Sequence, residues 1–107
     1  MTRKVIVTEK KVRERLNEVL DPELGISIID LGLVYEIKVN NTSAPTVSIL
    51  MTLTTMGCPL FDVIEEDMYL KLSDLDLTRQ QIKIDMTFDP PWDMERMTKR
   101  GRAVLGI

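Results

Sequence analysis

The chain has 107 residues, 44% of them apolar and 29% charged, and this size predicts one compact domain over residues 1–107. The net charge is −3, no basic stripe is present and aromatic residues are few, which argues against nucleic acid as a partner. No apolar run is long enough to cross a bilayer, which argues against a membrane. Histidine is absent and cysteine occurs once, which excludes Ser-His-Asp and Cys-His catalysis, imidazole metal sites and an internal disulfide, and predicts a reducing, cytoplasmic compartment.

The first predicted element is an amphipathic helix from Thr8 to Leu20. Thr8 is a suitable N-cap, and Pro22 disfavours helical geometry at the residue before it, so we expect the helix to stop near Leu20. Its apolar residues recur at helical spacing: Val12, Leu16, Val19 and Leu20.

An acidic turn follows at Asp21-Pro22-Glu23-Leu24-Gly25. Proline can start a single turn here and glycine can end it. Asp21 and Glu23 are the first carboxylates that can do chemistry, as a base or as a hard metal ligand. In the alternative interpretation, Asp21 only caps the turn and Glu23 is solvated.

Two alternating segments, Leu33 to Val39 and Thr46 to Thr54, predict a pair of antiparallel strands joined by a polar connection. One face of this pair is expected to pack under helices and the other to be partly wet. The outward residues include Val34 and Thr52. The residues predicted to face the core are Leu33, Tyr35, Ile37 and Val39 in the first strand and Val47, Ile49, Met51 and Leu53 in the second.

The only cysteine lies where the second strand passes into a helix. Pro59 suits the first helical position, which makes Cys58 the expected N-cap. Unpaired backbone N–H groups and the positive end of the helix dipole favour the thiolate over the thiol there. Cys58 is therefore the best functional candidate in the sequence, and the alternative is a small buried apolar residue without chemistry.

The second half of the chain predicts a helix, a third strand and a final helix. The helix runs from Pro59 to Ser73 with a largely acidic outer face, and the strand runs from Gln81 to Phe88. The final helix extends from an Asp93 N-cap to about Ala103. Its last turn is expected to hold three basic residues that complement the helix dipole: Lys99, Arg100 and Arg102.

Trp92 is the only tryptophan and follows two prolines, whose fixed geometry holds its backbone in a defined place. Three interpretations are open: the ring packs against the core, covers the Cys58 site or anchors a partner. We favour packing against the core.

The element order α-β-β-α-β-α predicts an α+β fold, a two-layer sandwich with a three-stranded sheet. The helix between the second and third strands is long enough for the third strand to return parallel to the second. The strand order is left open.

Four motifs resemble the MIP18 family, also known as domain of unknown function 59 or the PaaD-like group. They are Asp21 to Gly25, Asp30-Leu31-Gly32-Leu33-Val34-Tyr35, Thr54-Thr55-x-x-Cys58-Pro59, and Pro91-Trp92 followed by Met97-Thr98. The resemblance covers nearly the whole chain. It implies an iron–sulfur cluster assembly domain-like fold and a role as an accessory factor in maturing iron–sulfur proteins, as in the SufT branch. The site that it implies is lined by Asp21, Glu23, Leu24, Thr54, Thr55 and Cys58.

An iron–sulfur cluster normally takes four ligands, mainly thiolates, so one such chain cannot house a cluster by itself. We expect no tightly bound cofactor. Cys58 is expected to act as a transient ligand of a cluster shared between chains, or to contact client proteins without holding iron. The expected partners are the iron–sulfur assembly machinery, client apoproteins and, in a homodimer, a second copy of the chain.

Two other functions stay open. The first is a thiol-dependent enzyme with Cys58 as nucleophile, Asp21 or Glu23 as base and the helix N-terminus as oxyanion site, although this design lacks a histidine. The second is an adaptor subunit of an oxygenase-type complex, with Trp92 and the acidic second helix as its interface. The non-enzymatic assembly factor is favoured over both.

Overall fold

The computed structural model describes residues 7–41, 44–54 and 61–106. Within these ranges, helices and strands follow one another in the predicted α-β-β-α-β-α order. They are α1 (Glu9–Leu16), β1 (Val34–Asn40), β2 (Thr46–Met51), α2 (Phe61–Leu72), β3 (Ile82–Met86) and α3 (Lys99–Leu105). Short 3₁₀ turns lie at Ser73–Leu75, Arg79–Gln81 and Met94–Arg96. The α+β class predicted from the sequence is confirmed.

The strands form one sheet in the order β1-β2-β3, with β2 at its centre. β1 pairs antiparallel with β2, ending with Val34 opposite Met51. β3 lies parallel to β2 and places Met86 beside the same Met51. The antiparallel pair and the parallel return after α2 are both confirmed. Because β1 and β3 both pair with β2 as far as Met51, the carboxyl end of β2 is hydrogen-bonded on both sides.

One face of the sheet packs under α1 and α2, and the opposite face is open to solvent. Period-two alternation explains the choice of face, since the residues of the predicted second strand, Thr46 to Thr54, that are expected to point inward are all buried. They are Val47, Ile49, Met51 and Leu53. The helices complete the core with buried residues at helical spacing: Val12 and Leu16 from α1, and Ile64, Met68 and Leu72 from α2.

The alternation predicted for β1 is wrong at its start, where a β-bulge lies between Val34 and Glu36. The extra residue shifts the pattern of faces, so Val34 packs against the core although the alternation predicts an outward side chain. Tyr35, predicted to face the core, is instead held by the chain that follows β3. Its hydroxyl donates to the carbonyl oxygen of Pro90 at 2.8 Å, and the Arg96 guanidinium lies 4.5 Å from its ring centre.

Helix α1 ends at Leu16, earlier than the predicted end at Leu20. Its N-cap is Thr8, as predicted. Beyond the helix, Leu20 pairs with Ser27 in an isolated antiparallel bridge. This pairing of the chain with itself overrides the helical spacing of the last apolar residues, because helix propensity is weak compared with tertiary contacts.

The final helix begins later than predicted. Asp93 caps only a 3₁₀ turn, in which its carboxylate accepts from the Glu95 N–H at 2.8 Å. Helix α3 starts at Lys99, behind a second N-cap at Thr98. The prediction that Lys99 and Arg100 lie in a last helical turn is therefore wrong, since both lie in the first turn.

Residues 92–101 form a segment that we call the C-terminal clasp, because it closes over the loop that carries Asp30 and Leu31. The Trp92 indole N–H donates to the Leu31 carbonyl oxygen at 2.6 Å. The Thr98 N–H donates to the Asp30 carbonyl oxygen at 2.9 Å. The Trp92 ring packs against the hydrophobic core, as the favoured interpretation of the sequence predicts.

Candidate functional site

The carboxyl end of β2 leads directly into the predicted site. Just beyond β3, the Thr87 N–H donates to the Met51 carbonyl oxygen at 2.9 Å. On the opposite side, the Thr52 N–H donates to the Leu33 carbonyl oxygen at 2.8 Å. Backbone bonds on both sides therefore fix the direction in which the chain approaches Thr54.

A series of backbone hydrogen bonds connects this end of β2 to the acidic turn. The Thr52 N–H donates to Leu33, the Leu33 N–H donates to the Ile28 carbonyl oxygen at 3.0 Å, and the Ile28 N–H donates to the Val19 carbonyl oxygen at 2.9 Å. Val19 lies just before Leu20 and Asp21 in the chain. The acidic turn and the end of β2 are thus attached to one hydrogen-bonded network.

Asp21 caps the acidic turn. Its side chain is buried, and the carboxylate Oδ1 accepts from the N–H groups of Glu23 at 2.8 Å and Leu24 at 3.1 Å. The Gly25 N–H closes the turn by donating to the Asp21 carbonyl oxygen at 2.7 Å. Hydrogen bonds of this kind offset the cost of burying a carboxylate. The capping interpretation of Asp21 describes this geometry well.

The two other residues of the turn that belong to the predicted site face solvent. Glu23 is exposed, and Leu24 exposes 40% of its surface. Leu20, at the entrance to the turn, exposes 51%. The turn therefore presents a carboxylate between two exposed leucines to solvent.

Thr52 is a buried polar residue that sequence reasoning does not single out. The alternation predicts an outward side chain, yet Thr52 is fully buried and its Oγ1 has no hydrogen-bond partner among the described residues. Leaving a buried hydroxyl unpaired costs about 1–3 kcal/mol. The only sequence signal is its place in the run of hydroxyl-bearing residues Thr52, Thr54 and Thr55.

The structure describes four of the six residues of the predicted site. It brings Asp21, Glu23 and Leu24 together in one turn and places Thr54, half-buried, three residues beyond the end of β2. Two members lie outside the described residues: Thr55 and Cys58. The predicted N-cap geometry at Cys58 lies outside them as well and stays a prediction.

Neither a preformed metal site nor a membrane span is found in the described part of the chain. No group of three His, Cys, Asp or Glu side chains within 7–41, 44–54 and 61–106 could hold a metal ion. Over the same ranges, no helix has both the length and the apolar character that crossing a membrane requires. The chain has a single thiol, that of Cys58.

Comparisons with known proteins agree with the geometry of the fold. The family model described as "Iron-sulfur cluster assembly protein" matches residues 9–84. The chain is 34% identical over 99 residues to the "Fe-S protein maturation auxiliary factor YitW" of Bacillus subtilis, a match that covers 92% of this chain and 94% of that protein. It is 37% identical over 89 residues to the "Fe-S protein maturation auxiliary factor SufT" of Staphylococcus aureus, covering 83% of this chain and 98% of that protein.

A solved structure supports the same architecture. The crystal structure of a domain of unknown function 59 from Bacillus anthracis superposes with a TM-score of 0.83 at 35% sequence identity, covering 92% of each chain. The family match ends at residue 84, so most of β3 lies within it and the C-terminal clasp lies after it.

Proposed function

Because the chain belongs to the iron–sulfur cluster assembly protein family, we propose that it is an accessory factor that helps to supply clusters to client proteins. The match of that family over residues 9–84, together with near full-length similarity to two maturation auxiliary factors, carries the proposal. We propose further that the factor works by binding partners rather than by catalysing a reaction of its own, and that it does so in the reducing cytoplasm, where a thiol stays free.

The donor set of the chain supports transient handling of a cluster. A cluster needs about four ligands, mainly thiolates, and this chain supplies one thiol, Cys58, and no histidine. The cluster is therefore cargo in this proposal and not a resident cofactor. Cys58 offers one thiolate, and the partner that delivers or receives the cluster supplies the others.

The acidic turn supports a division of roles between its two carboxylates. Oδ1 of Asp21 is already occupied by two backbone N–H groups, so Asp21 shapes the turn. Glu23 is exposed and free to accept a proton from a thiol or to contact a partner. Leu24 supplies apolar area beside it. In this proposal Glu23 is the chemically active carboxylate, and Asp21 positions it.

The hydroxyl groups at the end of β2 have a separate role in the proposal. Thr54 and Thr55 would hydrogen-bond the cluster sulfurs or the Cys58 thiolate, since hydrogen bonds to sulfur stabilise and orient a bound cluster. Thr54 is half-buried at a point fixed by the backbone bonds of Met51 and Thr52, which supports its use as a positioned donor.

The test is the specific activity of a labile [4Fe–4S] enzyme, such as aconitase, in cells that lack this protein. Wild type, Cys58→Ser and Thr54→Val are each reintroduced, and the amount of aconitase protein is measured alongside its activity. The matched control is Thr46→Val, an exposed threonine at the amino end of the same strand. We expect wild type and Thr46→Val to restore activity, Cys58→Ser to fail, and Thr54→Val to restore only part of it.

Two results would overturn parts of the proposal. Full restoration by Cys58→Ser would remove the thiol from the mechanism and leave a purely adaptor role. No loss of aconitase activity in cells lacking the protein, repeated with a second cluster enzyme, would remove the maturation function itself. Circular dichroism and denaturant unfolding of each purified variant separate loss of function from loss of fold.

A further inference from the structure

The open face of the sheet carries its charges in two rows, which are set by strand register. The cationic row consists of Lys38, Ser48 and Lys83, which lie side by side on β1, β2 and β3. The anionic row, two residues away along each strand, consists of Glu36, Leu50 and Asp85. Strands lie about 4.8 Å apart and two residues span about 7 Å, so the four charged positions form a rectangle of roughly 10 by 7 Å.

The charged side chains are well exposed and only loosely paired within their own strands. Lys38 Nζ lies 3.5 Å from Glu36 Oε1, with 72% and 49% of the two side chains exposed. Lys83 Nζ lies 3.8 Å from Asp85 Oδ2, with 74% and 50% exposed. The half-buried Leu50 lies between them, in a shallow cavity of about 210 Å³ lined by residues of both rows. This face can therefore accept further opposite charges.

We propose that a second copy of this chain docks on this face, related by a two-fold axis that runs between the two rows and parallel to them. That rotation places the cationic row of each copy over the anionic row of the other. Lys38 of one copy then meets Glu36 of its partner, and Lys83 meets Asp85. Each charge keeps its neighbour within the strand and gains a second opposite charge across the interface. A face with one sign of charge would repel its copy, whereas this one is complementary to itself.

The size and chemistry of the face make the dimer weak and sensitive to salt. Face-to-face sheets pack about 10 Å apart, a gap that Lys and Glu side chains span from opposite sides. The surface area of two rows on three strands is smaller than the roughly 800 Å² per partner that stable interfaces bury. The attraction comes mainly from exposed charges, which salt screens.

The two-fold rotation also sets where the candidate sites lie in the dimer. Strands of the two copies run antiparallel, apart from an angle of about 30° that sheet twist imposes. The carboxyl ends of β2, which lead into Thr54, therefore lie at opposite ends of the dimer. The dimer therefore does not bring the two Thr54 residues together. Self-association is measured on the purified chain, and its outcome does not depend on the proposed maturation role.

The experiment is analytical ultracentrifugation of the full chain and of two charge-swapped variants. The first variant, Glu36→Lys with Asp85→Lys, makes both rows cationic, and the second, Lys38→Glu with Lys83→Glu, makes both rows anionic. We expect wild type to self-associate with a dissociation constant that rises at least about tenfold between ~20 mM and ~500 mM NaCl. Each variant alone should stay monomeric. An equimolar mixture of the two should form a 1:1 dimer, at least about tenfold tighter than wild type at low salt.

The mixture is the critical test of the proposal. Non-specific association would not give a 1:1 complex of two variants that are each monomeric alone. A matched control moves the same changes to the helix side of the molecule, as Glu14→Lys and Glu18→Lys in place of the two strand changes. This control should self-associate as wild type does. Wild type that stays monomeric at low salt up to millimolar concentration, or a mixture that gives no heterodimer although both variants are folded, overturns the proposal.

Discussion

Asp30 and Thr98 hold each other by two hydrogen bonds, one through the backbone and one through the side chains. The Thr98 N–H donates to the Asp30 carbonyl oxygen at 2.9 Å, and the Thr98 hydroxyl donates to Asp30 Oδ1, also at 2.9 Å. The same hydroxyl oxygen accepts the Gly101 N–H at 3.1 Å and so caps α3. A single threonine therefore attaches the clasp and starts the last helix.

Replacing this threonine tests the clasp directly. We expect Thr98→Val to lower the free energy of unfolding by about 1–2 kcal/mol, because it removes the N-cap and leaves Asp30 without its hydroxyl partner. Thr98→Ser keeps the hydroxyl and should lose less than half as much. Urea unfolding followed by Trp92 fluorescence measures both variants, and hydrogen exchange over 99–105 shows whether the helix has loosened. Equal stability of the two variants would show that the hydroxyl contributes nothing.

Gly32 is predicted to tolerate no side chain. Its φ is +75°, and an added β-carbon would stand 2.7 Å from the carbonyl carbon of Arg96, with the carbonyl oxygen closer still. Gly25 has a similar φ of +67° but open space around it. We expect Gly25→Ala to cost about 1–2 kcal/mol, which is the strain of the left-handed backbone alone. Gly32→Ala should cost at least about 3 kcal/mol because the overlap with the clasp is added.

Denaturant unfolding of both alanine variants measures this difference. The prediction fails if the two variants lose the same stability, since the left-handed backbone would then account for the whole effect and the contact with Arg96 for none of it.

The two carboxylates of the acidic turn are predicted to respond differently to loss of charge. Asp21→Asn keeps an oxygen acceptor for the two N–H groups of the turn, so it should retain stability within about 0.5 kcal/mol and retain maturation of cluster enzymes. Asp21→Ala loses the cap and should cost about 0.5–2 kcal/mol. Glu23→Gln should fold normally and reduce maturation, because Glu23 is the exposed carboxylate.

Aconitase activity and denaturant unfolding, measured on the same set of variants, separate the two roles. A stable Asp21→Asn variant that fails in maturation would reverse the assignment and make the buried carboxylate the active one. Glu66→Gln, at an exposed position of α2 that is ion-paired to Arg79, is the matched control for loss of one surface carboxylate.

Thr52→Val is expected to stabilise the protein. The hydroxyl is fully buried and has no hydrogen-bond partner among residues 7–41, 44–54 and 61–106, so replacing it with a methyl group of similar size removes a desolvation cost and should raise the free energy of unfolding by about 1 kcal/mol. Thr46→Val on the exposed end of β2 should change stability by less than about 0.5 kcal/mol. A loss of stability in Thr52→Val would mean that the hydroxyl has a partner.

Much of this fold follows from local pattern. The inward face of β2 is predictable because four apolar residues alternate without a break, and the parallel return of β3 is predictable because a helix separates the two strands. The acidic turn is predictable because Pro22 and Gly25 bracket it. In each case the residues that decide the structure lie close together in the chain.

The failures have a different cause, since each depends on pairing between particular residues that the spacing of apolar residues does not report. The end of α1 is set by the pairing of Leu20 with Ser27, and the start of α3 by the bonds from Thr98 to Asp30. The bulge at Tyr35 shifts the faces of β1, and no turn residue in the sequence marks it. Periodicity carries no information about such partners.

The candidate site also has a part that local pattern predicts and a part that it does not. Its acidic turn could be predicted as a turn, and its capping by Asp21 was one of two open interpretations. The buried hydroxyl of Thr52 could not be predicted, because strand alternation places the side chain outward and only the folded structure shows that it is buried. The roles of Cys58 and Thr55 stay predictions.

The clasp has a consequence for the order in which the protein is made. Trp92 and Leu31 are 61 residues apart in the chain, and Thr98 and Asp30 are 68 apart. During synthesis, the loop at Asp30 leaves the ribosome well before the residues that will hold it. Contacts of such long sequence separation form late and slow folding. A nascent chain therefore carries an unfastened loop until Thr98 has emerged from the ribosome, and a ribosome that stalls before that point leaves a product open to proteases and chaperones.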